Sequence, residues 1–357
     1  MLLSRQLCSL TYLFVAFAFL HGSLALAHQH GQNDNNHAPH HDNWTHENDW
    51  LQVPKSLSQI GKSHGEIAVS SDGDIYVSVM GELGGLQVYS PAGEYLHNVK
   101  NAPKDIHGFV IKQENGRDVI YAPTLYGQSI VKMTVTGEIL LTVDALSSIP
   151  KQYHSEPVIK PTWRDDRALK LTAIDVAADG TMYVIDGYGK DYIHTFDQKG
   201  NYITTFAGRG APWHLHNCHK IAIDPRFTPK RILCADRVNG RLVHMKLDGK
   251  LIGNHAEGLR RPSAIAFYND LVAVAEISGR VTLLDLEGKK LTTLGTNENK
   301  EEINHPRTPP EKWKNGVFTS PHGIAFDADG NLYVTEYSNF GRVLKFNAST
   351  SIDNAEE

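Results

Sequence analysis

One template recurs six times along this chain, and few folds accommodate that. An apolar strand leads into a turn, commonly Asp-Gly or Asn-Gly. A second strand follows and ends in small or acidic residues, and then come a loop and two further strands. The copies open as "SHGEIAVSSDGDIYVSV" at Ser63, "IHGFVIKQENGRDVIYAPT" at Ile106 and "LTAIDVAADGTMYVIDGYG" at Leu171. They continue as "CHKIAIDPRFTPKRILCADR" at Cys218, "PSAIAFYNDLVAVAEISG" at Pro262 and "PHGIAFDADGNLYVTEY" at Pro321. Period-2 strands joined by glycine turns, four per repeat of roughly 40–50 residues, predict an all-β, six-bladed β-propeller with four-stranded blades. A sandwich or two small barrels would not reuse one template. The sixth copy lacks a fourth strand after Lys345-Phe346, and the segment DWLQVP at 49–54 is expected to supply it and close the ring. Two insertions, 145–170 and 296–319, read as too polar for core and are expected to be lids or rim loops.

The segments outside the repeat speak to location. Residues 1–27 read as a signal peptide: Arg5, an apolar run over 10–20, and the small-x-small site Ala25-Leu26-Ala27. That run is short for a membrane span, so no membrane anchor is expected, and the protein is expected to be secreted or periplasmic. Residues 28–48 form a His-rich leader without apolar periodicity, expected to be disordered, either solvated or weakly binding zinc or copper. The propeller is expected over 49–347, followed by a tail at 348–357, and the chain is expected to be a monomer. A net charge of -5 and the lack of a basic tract argue against nucleic acid as a partner. Past the signal only Cys218 and Cys234 remain; a disulfide and two buried thiols are both open.

The histidines carry the chemistry. The first strand of a propeller blade lines the central channel. Two residues before the first apolar position of each inner strand stand His107, Thr172, His219, Ser263 and His322, with Gly65 at the shared position in blade one. Histidine therefore falls in blades two, four and six, which lie about 120° apart on a six-bladed ring. Three imidazoles meeting on the axis with one coordination place open describe a catalytic zinc site; iron, cobalt or copper could use the same set. His64 is off register by one residue and reads as channel wall. Each second strand ends on the same face as these histidines. Tyr188, from "DGYG", and Arg237, from "DRVNGR", are expected to look toward the metal as base and carboxylate clamp. Alternatively, Arg237 pairs internally with Asp236 or Asp186.

At these residues the chain resembles a known family. The blades look like NHL repeats. "AIDVAADGTMYVIDGYGKDYIHTFDQKGNYITTFAGRG" and "CHKIAID...ILCADRVNGRLVHM" are similar to peptidyl-α-hydroxyglycine α-amidating lyases. The resemblance covers roughly residues 63–346. It implies a propeller holding zinc through His107, His219 and His322, with Tyr188 as catalytic base and Arg237 in the active site. It also implies cleavage of a carbinolamide, in a small-molecule or peptide substrate, to an amide and glyoxylate. The chain departs from the pattern at several places. "SVMGELGG" in blade one lacks an expected second arginine, and Ser320 replaces a methionine. Gly323 stands where an acidic calcium ligand would be, which removes support for Ca2+. The family partner of Cys234 falls at His244. Two other functions remain: a lactonase-like hydrolase holding metal through Glu276, Glu336 and Asn339, and a non-catalytic NHL propeller binding protein or glycan.

Overall fold

A computed structural model describes residues 44–53, 57, 59–82, 84–156 and 167–349. The chain divides into units Met1–His37 and Ala38–Glu357, and the first lies wholly outside the described residues. The expected signal peptide, most of the leader and the end of the tail are therefore outside them too. The second unit is a six-bladed propeller: six four-stranded antiparallel sheets, each taken in chain order except the last. The outer strand is the most exposed of each sheet. In blade three the inner strand Ala173–Val176 is buried throughout, whereas the outer strand Tyr202–Ala207 is mostly exposed or half-buried. The second strands are the most apolar, as in IYVSV of blade one and LVAVAE of blade five, whereas an outer strand such as Leu251–Ala256 alternates where one face meets solvent. The hairpin turns carry the left-handed glycine the sequence promised. Gly330, at φ +83, follows Asp327, whose carboxylate caps the amides of Asp329 and Asn331.

The ring closes upstream of the expected strand. Trp44–Glu47, not 49–54, pairs with Val343–Ala348, in register Trp44↔Ala348 to Glu47↔Lys345. The propeller thus begins inside what reads as leader. Trp44 explains the choice. Its ring is buried in the core shared by blades five and six, and its indole Nε1–H donates to Gly330 O. Trp50 is buried as well, but as a plug: it packs edge-on against Tyr333 and donates to Pro91 O, bridging blades six and one.

The insertions are also less peripheral than their composition suggests. Ala145, Ile149 and Leu169 of the first join the core between blades two and three, and Phe318 of the second is fully buried. A few apolar anchors inside polar loops fix them to the blades. Among the described residues no helix is long and apolar enough to cross a membrane. Cys218 and Cys234 are disulfide-bonded, with Cα atoms 5.9 Å apart, and His244 instead meets the Asp224 carboxylate at 3.1 Å.

Candidate metal centre

The inner strands of blades two, four and six deliver three imidazoles to the axis. Ring centroids of His107, His219 and His322 lie 4.8, 4.8 and 4.9 Å apart, and all three rings are buried. Each is locked by the next blade. His107 Nδ1 meets Thr172 O at 2.9 Å, His219 Nδ1 meets Ser263 O at 2.7 Å, and His322 Nδ1 meets Gly65 O at 3.2 Å. A carbonyl can only accept, so each Nδ1 carries the proton and each Nε2 keeps a lone pair toward the axis. The residues at the histidine register of the intervening blades, Thr172, Ser263 and Gly65, are the ones that supply these carbonyls. This explains the histidine-glycine pair in blade two. A Cβ on Gly108 would stand 2.3 Å from Thr172 O, the same oxygen that holds His107.

Tyr188 comes from the loop after the second strand of blade three. Asp186 organises that loop by accepting from the amides of Lys170 (2.6 Å) and Lys190 (2.9 Å). Tyr188 Oη lies 2.9 Å from His219 Nε2, 3.1 Å from His107 Nε2 and 3.2 Å from His64 Nε2. Burial pushes its phenol above the ordinary value, and Arg237 pulls it back. The guanidinium of Arg237 stands 5.3 Å from the Tyr188 ring centroid. Arg237 is buried, and its Nε–H donates to Asn217 Oδ1 at 2.6 Å. Asp236 is instead paired with Arg241, and Asp186 with backbone amides. Among the described residues Arg237 has no carboxylate partner, so the internal ion pair is not made.

The sequence reading passed over three groups. His64 is part of the cluster: its ring lies 4.9 Å from both His107 and His322, and one nitrogen of each of these three lies within 4.8 Å of the other two, a set that does not include His219. Counting back from the first apolar residue hid it, because blade one carries an additional residue, Glu66. Aligning the repeated histidine-glycine pair at 64–65, 107–108 and 322–323 reveals it. Beneath the histidines, Lys220 Nζ meets Glu66 Oε2 at 2.5 Å, both side chains buried. Glu66 Oε1 also accepts from Ile324 N. A cavity of about 10 Å³, the size of one small ion or water, lies between this pair and the three histidines.

Glu276 and Glu336 are committed elsewhere. Glu276 accepts from Arg280, Thr282 and the Arg260 amide, and Glu336 from Arg342, Thr319 and the Ser320 amide. Each clamps the loop that enters its own blade, as Asp186 does in blade three. Asn339 is exposed. The carboxylates needed for a lactonase-like metal site are therefore occupied.

Burial sets the electrostatics. His107 is lowered to about 4, and His219 and His322 well below the ordinary value. Outside the cluster, buried His194 is lowered to about 3. An unfolded histidine takes its proton near 6.5. His64 is also lowered well below the ordinary value, His255 to about 4, and His46 is lowered too, each chiefly by burial. Between about pH 6.5 and 4 the unfolded chain thus binds several protons that the native chain refuses. Asp186, raised to about 7 chiefly by burial, works in the opposite direction, as do Asp191 and Asp74, which burial also raises. The histidine contribution to stability of the metal-free protein should accordingly be full above pH 6.5, and stability should fall toward pH 4, with several protons taken up on unfolding. Thermal melts in chelator across that range test this, and a flat midpoint would contradict it.

Comparison with known proteins agrees with the fold. Residues 318–346 match the NHL repeat family model. The chain is 29% identical over 179 residues to peptidyl-alpha-hydroxyglycine alpha-amidating lyase 2 of Drosophila melanogaster. That alignment covers 47% of this chain and 39% of the fly protein's length. Two solved structures share the architecture. A streptogramin B lyase superposes with a TM-score of 0.54 at 13% identity, over 86% of this chain and 99% of that one. A Bacteroides thetaiotaomicron protein of unknown function gives 0.58 at 11%, over 81% and 70%. At such identities these likenesses speak to the propeller alone.

Proposed function

We propose that the axial cluster binds one divalent transition ion, zinc in the first place, through Nε2 of His107, His219 and His322. We further propose that the protein is a lyase acting on a carbinolamide or a related small, carboxylate-bearing substrate. One observation carries the reading. Three anchored, neutral imidazoles aim lone pairs into one buried space in which Tyr188 offers a single hydrogen. Lone pairs facing one another repel, and His322 Nε2 has no hydrogen-bond partner among the described residues. A cation resolves both problems. The partial similarity to the fly amidating lyase supports the choice of reaction class.

Zinc held there would supply Lewis acidity to a substrate oxygen. The chain's own groups do the rest. The neutral phenol beside the imidazoles is the resting form of Tyr188; once ionised, it accepts the proton of the substrate hydroxyl. The oxygen's electrons then form the new carbonyl and the carbon–nitrogen bond breaks. The proton count closes when the same proton passes to the departing amide nitrogen. A positive charge beside the phenol favours its ionised form, and Arg237 supplies one from within the chain. With no carboxylate partner among the described residues, Arg237 is also suited to a substrate carboxylate.

No calcium enters this reading. Lys220 already provides a cation on the axis. The space a side chain at Gly323 would need is occupied by Glu66, whose Oε1 would stand 2.8 Å from a Cβ there. The Cys218–Cys234 disulfide supports a compartment outside the cytosol, in keeping with the leader.

The test is release of glyoxylate from a peptide ending in α-hydroxyglycine, with zinc-loaded and metal-stripped protein. Zinc-dependent release is expected. Zinc binding without release would retain the metal site and reject this substrate class.

A further inference from the structure

The strongest unassigned feature is His64, the fourth imidazole of the cluster. We propose that His64 is the hydrogen-bond acceptor that positions the Tyr188 hydroxyl, and that it does not hold the ion; this rests on the three-histidine metal reading above. Among the described residues Tyr188 Oη has one proton and three acceptors within reach, on His219, His107 and His64. Two of these belong to rings whose Nδ1 is fixed on a carbonyl. Each such ring has one lone pair, and an ion shared on the axis takes it. Only His64 Nε2, at 3.2 Å, is then left to receive the phenol's hydrogen.

The surroundings of His64 are built to hold it there. In the inner strand of blade one, Ser63 pairs with Val79 and Ile67 with Val77, so two residues more than in a regular ladder stand on the strand's side. The corresponding shift in blade six, between Pro321↔Glu336 and Gly323↔Thr335, carries one. Glu66 is the difference. Its carboxylate is fixed to Lys220 of blade four and to the Ile324 amide of blade six. That anchor maintains the bulge which sets His64 apart from the register of the other three. The neighbours on either side are pinned as well. Ser63 exchanges backbone hydrogen bonds with Ser338, and Gly65 O receives His322 Nδ1 and Thr335 Oγ1. Tyr337 backs the His64 ring at 4.3 Å between centroids. By contrast, no carbonyl fixes His64 Nδ1 among the described residues.

Two variants test the assignment. His64→Leu removes the acceptor, and His64→Gln puts an amide oxygen close to the place of Nε2. Both should retain one zinc per chain and an unchanged visible spectrum when loaded with Co2+. The Raman doublet of Tyr188, isolated by subtracting the Tyr188→Phe variant, should lose its hydrogen-bond-donor signature in His64→Leu and recover it in His64→Gln. Turnover should fall about 5- to 10-fold in His64→Leu and recover in His64→Gln, with KM little changed. Loss of the ion or an altered Co2+ spectrum in either variant would make His64 a ligand and overturn the proposal. An unaltered Raman doublet in folded, zinc-loaded His64→Leu would do so too. Failure of wild-type protein to bind zinc would instead defeat the metal reading on which the proposal stands.

Discussion

Tyr188→Phe is expected to lower turnover by about 10²- to 10⁴-fold, the range typical of a positioned acid–base group, while leaving the bound ion and the fold unchanged. The substitution removes one oxygen. The ring remains packed 5.1 Å from His107 and 5.3 Å from His219, and the loop's own anchors at Asp186 are untouched. The three Nε2 atoms keep their carbonyl-fixed rings, so metal content should match the wild type. KM should change little, because the phenol's contribution belongs to proton transfer rather than to binding. Near-full activity in the variant would show that Tyr188 is not the base. Loss of metal would show that its oxygen is part of the coordination sphere.

Six copies of one strand template were enough to determine the propeller, because only a ring lets each copy bury its faces against two neighbours. The alternation of histidines was legible for the same reason: inner-strand register is a geometric address. Their anchoring was not, since it depends on backbone carbonyls of Thr172, Ser263 and Gly65, which any residue type provides. His64 was missed because the inserted Glu66 shifts the count by one, and nothing in the local sequence says that Glu66 reaches Lys220 across the channel. Trp44–Glu47 was hidden by polar neighbours; a single tryptophan supplies its burial, and a short closing strand needs little else. Ile149, Leu169 and Phe318 show the same effect, as isolated apolar residues anchoring loops of polar composition. Glu276 and Glu336 were read as possible ligands because carboxylates at strand ends look alike in sequence. Their roles separate only when the amides and arginines that satisfy them are known.

The second large effect concerns His219. Its ring is held by Ser263 O and closes the triangle with His107 and His322 at 4.8 Å on each side. Removing it leaves His107 and His322 as ligands, with His64, 4.9 Å from both rings, engaged as the proposed acceptor of the Tyr188 hydroxyl. Loss of a ligand should weaken binding by more than the roughly 10- to 100-fold that loss of an outer partner costs. The fold should survive, because the six cores lie between blades and do not rest on this ring. The most direct measurement is zinc per chain, by elemental analysis, for wild type and His219→Ala after dialysis at low free zinc, which strips any weakly held metal. One equivalent in the wild type and essentially none in a folded His219→Ala is the expected result. Equal zinc in both proteins, or none in the wild type, would contradict a shared ion on the propeller axis.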